Sequence, residues 1–230
     1  MKQIVTTGAV LARTNYGEAD RIVTLLTPDQ GKVRLMARGV RRSKSKLAGG
    51  IELFSVSDIT FARGRGDIGT LVSTRLKTHY GNVLLDVDRT MEAYELIKIL
   101  DRSTEDNCEP EYFALLLNLF TGLDEVRLPL VLIKAWFYAQ LLQLHGFSPD
   151  MQRDTSGARL VSEQRYTFDL DAMAFGAAPA GQCGAAEIKL LRLLFGRVTP
   201  VQLAQVQDVM THLAPISPLI EAMRKQYIRV

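Results

Sequence analysis

Cysteine is nearly absent: the 230 residues contain two, Cys108 and Cys183, far apart in the chain. That excludes a disulfide-stapled scaffold and predicts free thiols. Histidine is almost as scarce, with His79, His145 and His212 isolated from one another. No H-E-x-x-H, no G-x-x-x-x-G-K-[ST] and no G-x-S-x-G occurs, so nothing marks an enzyme and no cofactor is expected. Long apolar runs are missing too. The longest, Leu128 to Leu144, is interrupted by Pro129, Lys134, Gln140 and Gln143. It falls short of the ~18 uninterrupted residues that read as a membrane span. Met1 to Thr7 has neither an apolar targeting core nor a small-residue cleavage site, which predicts a cytoplasmic protein. What remains is an ordinary globular composition, 47% hydrophobic and 23% charged. A chain of this length buries enough surface to fold without a metal.

The net charge of +3 conceals an uneven distribution. Residues 1–80 hold fourteen Lys and Arg against six Asp and Glu, a balance of +8, while the rest of the chain stands at −5. A basic head on an acidic body suits a polyanionic partner.

Residues 1–80 read as β structure. Ile4–Thr14 and Asp20–Thr27 flank the turn signal Asn15-Tyr16-Gly17-Glu18. After Pro28-Asp29-Gln30-Gly31, the stretch Lys32–Arg38 alternates. Val33, Leu35 and Ala37 take one face; Lys32, Arg34, Met36 and Arg38 take the other. Ile51–Ala62 is expected as a fourth strand, with a bulge where its alternation slips, and Ile68–Leu76 as a fifth. Five short strands with a long loop after the third predict a barrel of the OB type. From Met91 the period becomes helical, with Ala93, Leu96, Ile97 and Leu100 on one face. Helices are expected over Tyr112–Leu123, Pro129–His145, Ala185–Phe195, Val201–Leu213 and Pro218–Tyr227. Thr199-Pro200 and Ser217-Pro218 read as helix starts, and Gly146 as a helix stop. Arg153–Gly184 is irregular apart from a short strand at Tyr166–Phe168. The fold class is thus α+β. Residues 1–80 form an OB-fold nucleic-acid-binding domain, and 81–230 a mainly helical domain.

Arg38-Gly39-Val40-Arg41-Arg42-Ser43-Lys44-Ser45-Lys46 packs five cations into nine residues without an acid. Such crowding costs self-repulsion that a phosphate backbone relieves, with release of counterions. The loop continues the strand face carrying Lys32, Arg34 and Arg38, and Arg63 and Arg65 add to it. Stacking partners are few: Phe54 and Phe61 read as core, and Tyr16, in a turn, is the best of them. Binding should therefore lean on phosphate charge and tolerate sequence. Gly64-Arg65-Gly66-Asp67-Ile68-Gly69 matches G-x-G-x-x-G literally, but a strand follows it, so a β-turn is the reading. Leu130–His145 is apolar nearly all round. Core is the default there, and a pocket for an acidic peptide tail beside Arg127, Lys134 and Trp136 is the alternative. His145, at that helix end, is expected to help as a C-terminal charge or a surface contact. Three other functions compete with DNA binding: an OB-fold RNA-binding module, a metal-dependent nuclease using Asp86 and Asp88, and a pure protein scaffold. For Asp86 and Asp88 a helix-capping role outweighs metal binding.

Several ordered stretches resemble the bacterial RecO family of recombination mediators. They are Tyr16-Gly17-Glu18-Ala19-Asp20, Ile22–Thr27, Gly31-Lys32, Ala37–Leu47 and Phe61-Ala62-Arg63-Gly64-Arg65-Gly66. His145-Gly146-Phe147-Ser148-Pro149 resembles the family's helical domain just ahead of its zinc-binding insertion. The resemblance is dense over residues 4–80 and thin beyond. It implies binding of single- and double-stranded DNA, annealing of complementary strands, and contact with the tail of single-strand-binding protein. It also implies work with RecR, and in some species RecF, to place RecA on coated strands, in association with the nucleoid. By that resemblance Lys32, Arg34, Arg38, Arg41, Arg42, Lys44 and Lys46 contact DNA. One departure stands out. Where two C-x-x-C pairs are common in the family, Arg153 and Ser156, then Cys183 and Ala186, stand here. One thiol of four cannot make a structural zinc site, so a zinc-less insertion around 150–185, held by packing alone, is expected.

Overall fold

A computed structural model describes residues 3–64 and 66–228. The chain divides into two compact units, Met1–Val126 and Arg127–Val230.

In the first unit, β1 (Gln3–Tyr16), β2 (Asp20–Thr27), β3 (Gly31–Ala37), β4 (Ser55–Ala62) and β5 (Ile68–His79) close into a barrel of order β1-β2-β3-β5-β4. The pairings are antiparallel except for β3 with β5, which run parallel over Arg34–Met36 and Ile68–Thr70. This is the expected OB-type barrel. Alternation along β3 puts Val33, Leu35 and Ala37 inside, where they meet Val10, Val23, Leu25, Ile59, Phe61 and Leu71. Each Val, Leu, Ile or Phe among them contributes about 1.5–3 kcal/mol by leaving water. Register shifts lie between Val56 and Ser57 and between Thr60 and Phe61, so β4 and β5 are bulged.

The fourth strand begins at Ser55, not at Ile51. Ala48–Gly50 forms a 3-10 turn, and Phe54 adopts a left-handed backbone, φ 59°, that no strand can continue through. That conformation turns the fully buried Phe54 ring onto two helices, α1 (Val87–Ser103) and α2 (Pro110–Asp124). It lies 5.6 Å from Tyr94 of α1 and 5.9 Å from Phe120 of α2. Asp86 caps α1 by accepting from Arg89 N at 2.7 Å, the capping role foreseen for it. Arg89 is itself buried and donates to Leu123 O and Val126 O, closing the C-terminal end of α2.

The second unit holds α3 (Leu130–Leu144), the hairpin β6 (Tyr166–Asp169) and β7 (Ala174–Ala177), then α4 (Ala185–Leu194), α5 (Pro200–Leu203) and α6 (Val209–Tyr227). Gly146, φ 82°, ends α3 with Phe147 N donating to Leu142 O. The helix expected over Val201–Leu213 is broken, because Asp208 takes a left-handed backbone, φ 53°. Conversely, Ser217-Pro218 starts nothing. Pro215 and Pro218 both lie inside α6. Its buried face, Val209, Leu213, Ile216, Ile220 and Met223, keeps a helical spacing straight through them, and packing outweighs the lost backbone bonds. Among the described residues, no helix is long and apolar enough to cross a membrane.

The 150–185 segment is held by more than packing. The Asp150 carboxylate accepts from Gln152 N and Arg153 N, and Asp154 accepts from Ser156 N, Ser156 Oγ and Ala158 N. Cys183 exchanges both backbone bonds with Tyr166. Tyr166, Phe168 and Phe175 cluster beneath the hairpin.

Candidate nucleic-acid interface

The cationic loop after β3 has a fixed course. Gly39, φ 62°, makes the first turn, and its N–H donates to the Asp20 carboxylate at 2.7 Å. Arg42 N returns to Gly39 O, and Ser45 N to Arg42 O. Arg41 binds the turn between β1 and β2 twice, from its N–H to Ala19 O and from its guanidinium to Gly17 O. Val40, 4% exposed, anchors the loop in the barrel core. The side chains of Arg38, Arg41, Arg42, Lys44 and Lys46 are all left exposed on this frame.

Ion pairs sort the other cations of the barrel. Arg13 and Arg21 both reach Glu52, and Arg34 reaches Asp106 at 3.4 Å. Lys77 reaches Asp58 at 3.0 Å, and hydrogen bonding from Lys77 holds the Asp58 carboxyl below its ordinary range. The five loop cations have no such partner: no carboxylate of the described residues lies within 4 Å of them. Tyr16, 56% exposed at the end of β1, borders the turn to which Arg41 is tied.

Lys32 is placed elsewhere. Its ammonium lies inside the fold, donating to Asp101 O at 2.7 Å and Thr104 O at 2.6 Å, with the Asp101 carboxylate at 3.4 Å. It closes the C-terminal end of α1. Arg34 is exposed but shared with Asp106, and Arg63 donates to Gln30 at 3.1 Å. These three line a separate cavity of about 340 Å³ with Asp67 and Asp106, toward the Lys32 end of β3. Arg65 lies outside the described residues. The predicted set thus falls into two groups, at opposite ends of β3, roughly 20 Å apart at about 3.3 Å per residue. Arg75 and Lys77, two apart on β5 and both exposed, were not among the candidates, although their period-2 spacing is visible in the sequence.

In the second unit, Trp136 is 2% exposed and donates its indole N–H to Val198 O at 2.7 Å. Lys134 is half-buried over the Tyr138 ring, with Arg224 against the same ring. Arg127 is exposed. Leu130–Leu144 is a core helix, and Trp136 presents no surface to a tail. His145 is half-buried at the end of α3, and burial pushes its pKa down, which weighs against the C-terminal charge of the two roles expected of it. Both cysteines are free thiols, and burial raises the pKa of each. Among the described residues, no three His, Cys, Asp or Glu side chains gather as a metal site would require.

A closed five-stranded barrel of the OB type, carrying a loop of five exposed cations, defines the class of the first unit by its fold. Residues 1–80 match the family model for the recombination protein O N-terminal domain. The resemblance seen in the sequence holds over this part of the chain. Among curated proteins, the chain is similar to the DNA repair protein RecO of Dehalococcoides mccartyi strain 195, 32% identical over 64% of the chain. It is likewise similar to those of Desulfatibacillum aliphaticivorans, 32% over 65%, and Synechococcus elongatus, 37% over 63%. The matched stretch spans only 54–59% of the length of these relatives.

Proposed function

We propose that this protein is a DNA repair and recombination mediator that works by binding rather than by catalysis. In this reading Arg38, Arg41, Arg42, Lys44 and Lys46 seat the phosphates of single- and double-stranded DNA. By neutralising two backbones at once the loop lowers the repulsion between complementary strands, so that they pair. Recombinase loading on coated strands then runs through partners: the single-strand-binding protein tail, RecR, RecF and RecA. The observation that carries the reading is five exposed cations on a pinned backbone with no carboxylate in reach. The likeness to proteins named for DNA repair supports it.

The test replaces Arg41, Arg42, Lys44 and Lys46 together by Ala. On single strands, log K falls with log salt at about 0.7 per phosphate contacted, so the slope should lose roughly 3. Annealing of complementary strands should slow sharply, while the melting temperature stays within a degree or two, because all four side chains are exposed. An unchanged slope and unchanged annealing would remove the loop from the function. Competition with a matched RNA distinguishes a DNA mediator from an RNA-binding module.

A further inference from the structure

In the second unit, three arginines converge where the sequence reads as an irregular insertion. Arg153 and Arg159 face each other across an antiparallel bridge, and Arg192 comes from α4. Two hollows of about 410 and 360 Å³ lie against them, and both are lined by Gln152, Arg153 and Arg192. Arg159 lines the second.

The guanidinium groups of Arg153 and Arg192 are oriented by hydrogen bonds. Arg192 donates through Nε and Nη2 to Met151 O, at 3.1 and 2.5 Å, and Arg153 donates through Nη1 to Gly157 O at 2.8 Å. These acceptors are neutral carbonyls. No carboxylate of the described residues lies within 4 Å of Arg153, Arg159 or Arg192. Asp150 lines the larger hollow, where the N–H groups of Arg153 and Gln152, and to a lesser extent the Arg153 charge, hold its carboxyl below the usual range. Asp154 accepts within its own turn, and among the described residues no acid lines the second hollow. Like charges placed directly across a β pairing are destabilising. A third cation beside them adds to that repulsion, and an oxyanion in the hollow would relieve it. Arginine forks match the geometry of phosphate oxygens in particular.

We infer that Arg153, Arg159 and Arg192 form a phosphate-binding cleft in the second unit. The inference rests on the proposed function only for the source of the phosphate, a DNA strand rather than a small phosphorylated molecule.

Two measurements on the full chain separate these questions. In the first, the protein is titrated with inorganic pyrophosphate while the backbone amide resonances are followed. Shifts should be confined to residues 150–160 and the neighbourhood of Arg192, vanish in Arg159→Glu and return in Arg159→Lys. Arg159 is exposed, so a thermal melt should find both variants folded. In the second, the salt dependence of single-strand binding is compared between parent and Arg159→Glu. If the strand supplies the phosphate, the slope should fall by about 0.7 or more, and affinity at low salt roughly tenfold. An unchanged slope with pyrophosphate shifts intact keeps the cleft and assigns it to a small phosphorylated ligand. Failure of the parent to bind any strand, with those shifts intact, defeats the proposed function alone. Absence of both responses overturns the cleft.

Discussion

Lys32 shows how a basic residue can be identified from sequence and still be misassigned. Its place in an alternating basic face was readable, because alternation is local. Its partners, Asp101 O and Thr104 O, lie about seventy residues away, and nothing near Lys32 announces them. A cation with three polar contacts at a helix end supports the fold. Replacing it by Met keeps the volume but strands two carbonyls and the Asp101 carboxylate, at a cost of about 2–3 kcal/mol. Denaturant titration of Lys32→Met should show that loss, while the salt slope of DNA binding moves by less than the ~0.7 expected of one lost phosphate contact. A full contact's loss of slope with unchanged stability would return Lys32 to the interface. Gly31, just before it, is as constrained. With φ 63°, a Cβ there would sit 2.2 Å from Asp106 O.

At the scale of elements, side chains close helix ends that the backbone leaves open. Lys32 serves α1, Arg89 serves α2, and Gln140 donates to Leu194 O, the last carbonyl of α4, and to Gly196 O just after it. The start of α4 is held by Glu187, whose carboxylate accepts from Gly184 N at 2.8 Å and meets His212 Nδ1 at 2.8 Å. Burial raises the Glu187 pKa, but the bonds from His212 and Gly184 outweigh it, and the net shift is downward. A depressed folded pKa means stabilisation that is complete above the unfolded value, about 4.3, and lost as pH falls through the folded one. Glu187→Gln should therefore melt earlier than the parent at neutral pH, by about 1 kcal/mol, and the gap should close on acidification below pH ~4. A gap that stays constant with pH would mean that the charge of Glu187 is irrelevant. Which elements were legible follows the same division. The β3 alternation and the Thr199-Pro200 start, with Thr199 Oγ1 accepting from Gln202 N, are local patterns and were read correctly. The late start of β4 and the unbroken α6 were not, since the first depends on Phe54 meeting α1 and α2, and the second on a buried face that outweighs two prolines.

For the whole molecule, the +8 balance of residues 1–80 overstated the charge that is available. Internal acids engage Arg13, Arg21, Lys32, Arg34 and Lys77; among the described residues of the barrel, the five loop cations, Arg63 and Arg75 have no carboxylate within 4 Å. Part of that compensation comes from beyond residue 80, and this bears on where a stable unit ends. The last barrel strand stops at His79, but the compact unit runs to Val126. A fragment of residues 1–80 would lose Asp101, Thr104 and Asp106 from around Gly31, Lys32 and Arg34. It would also uncover Phe54, which Tyr94 and Phe120 cover in the full chain. Truncating a contact of that size by mutation costs about 3–5 kcal/mol, a large share of what a small domain has. A fragment of residues 1–126 should accordingly melt as one cooperative unit, whereas 1–80 should melt far lower or aggregate. The longer fragment also keeps all five loop cations and none of the three arginines of the second unit. On single strands its salt slope should fall short of the full chain's by roughly 2, the share of three contacts at about 0.7 each. Equal slopes would show that the first unit carries the whole of binding. Equal melting of the two fragments would show that the barrel has no need of α1 and α2.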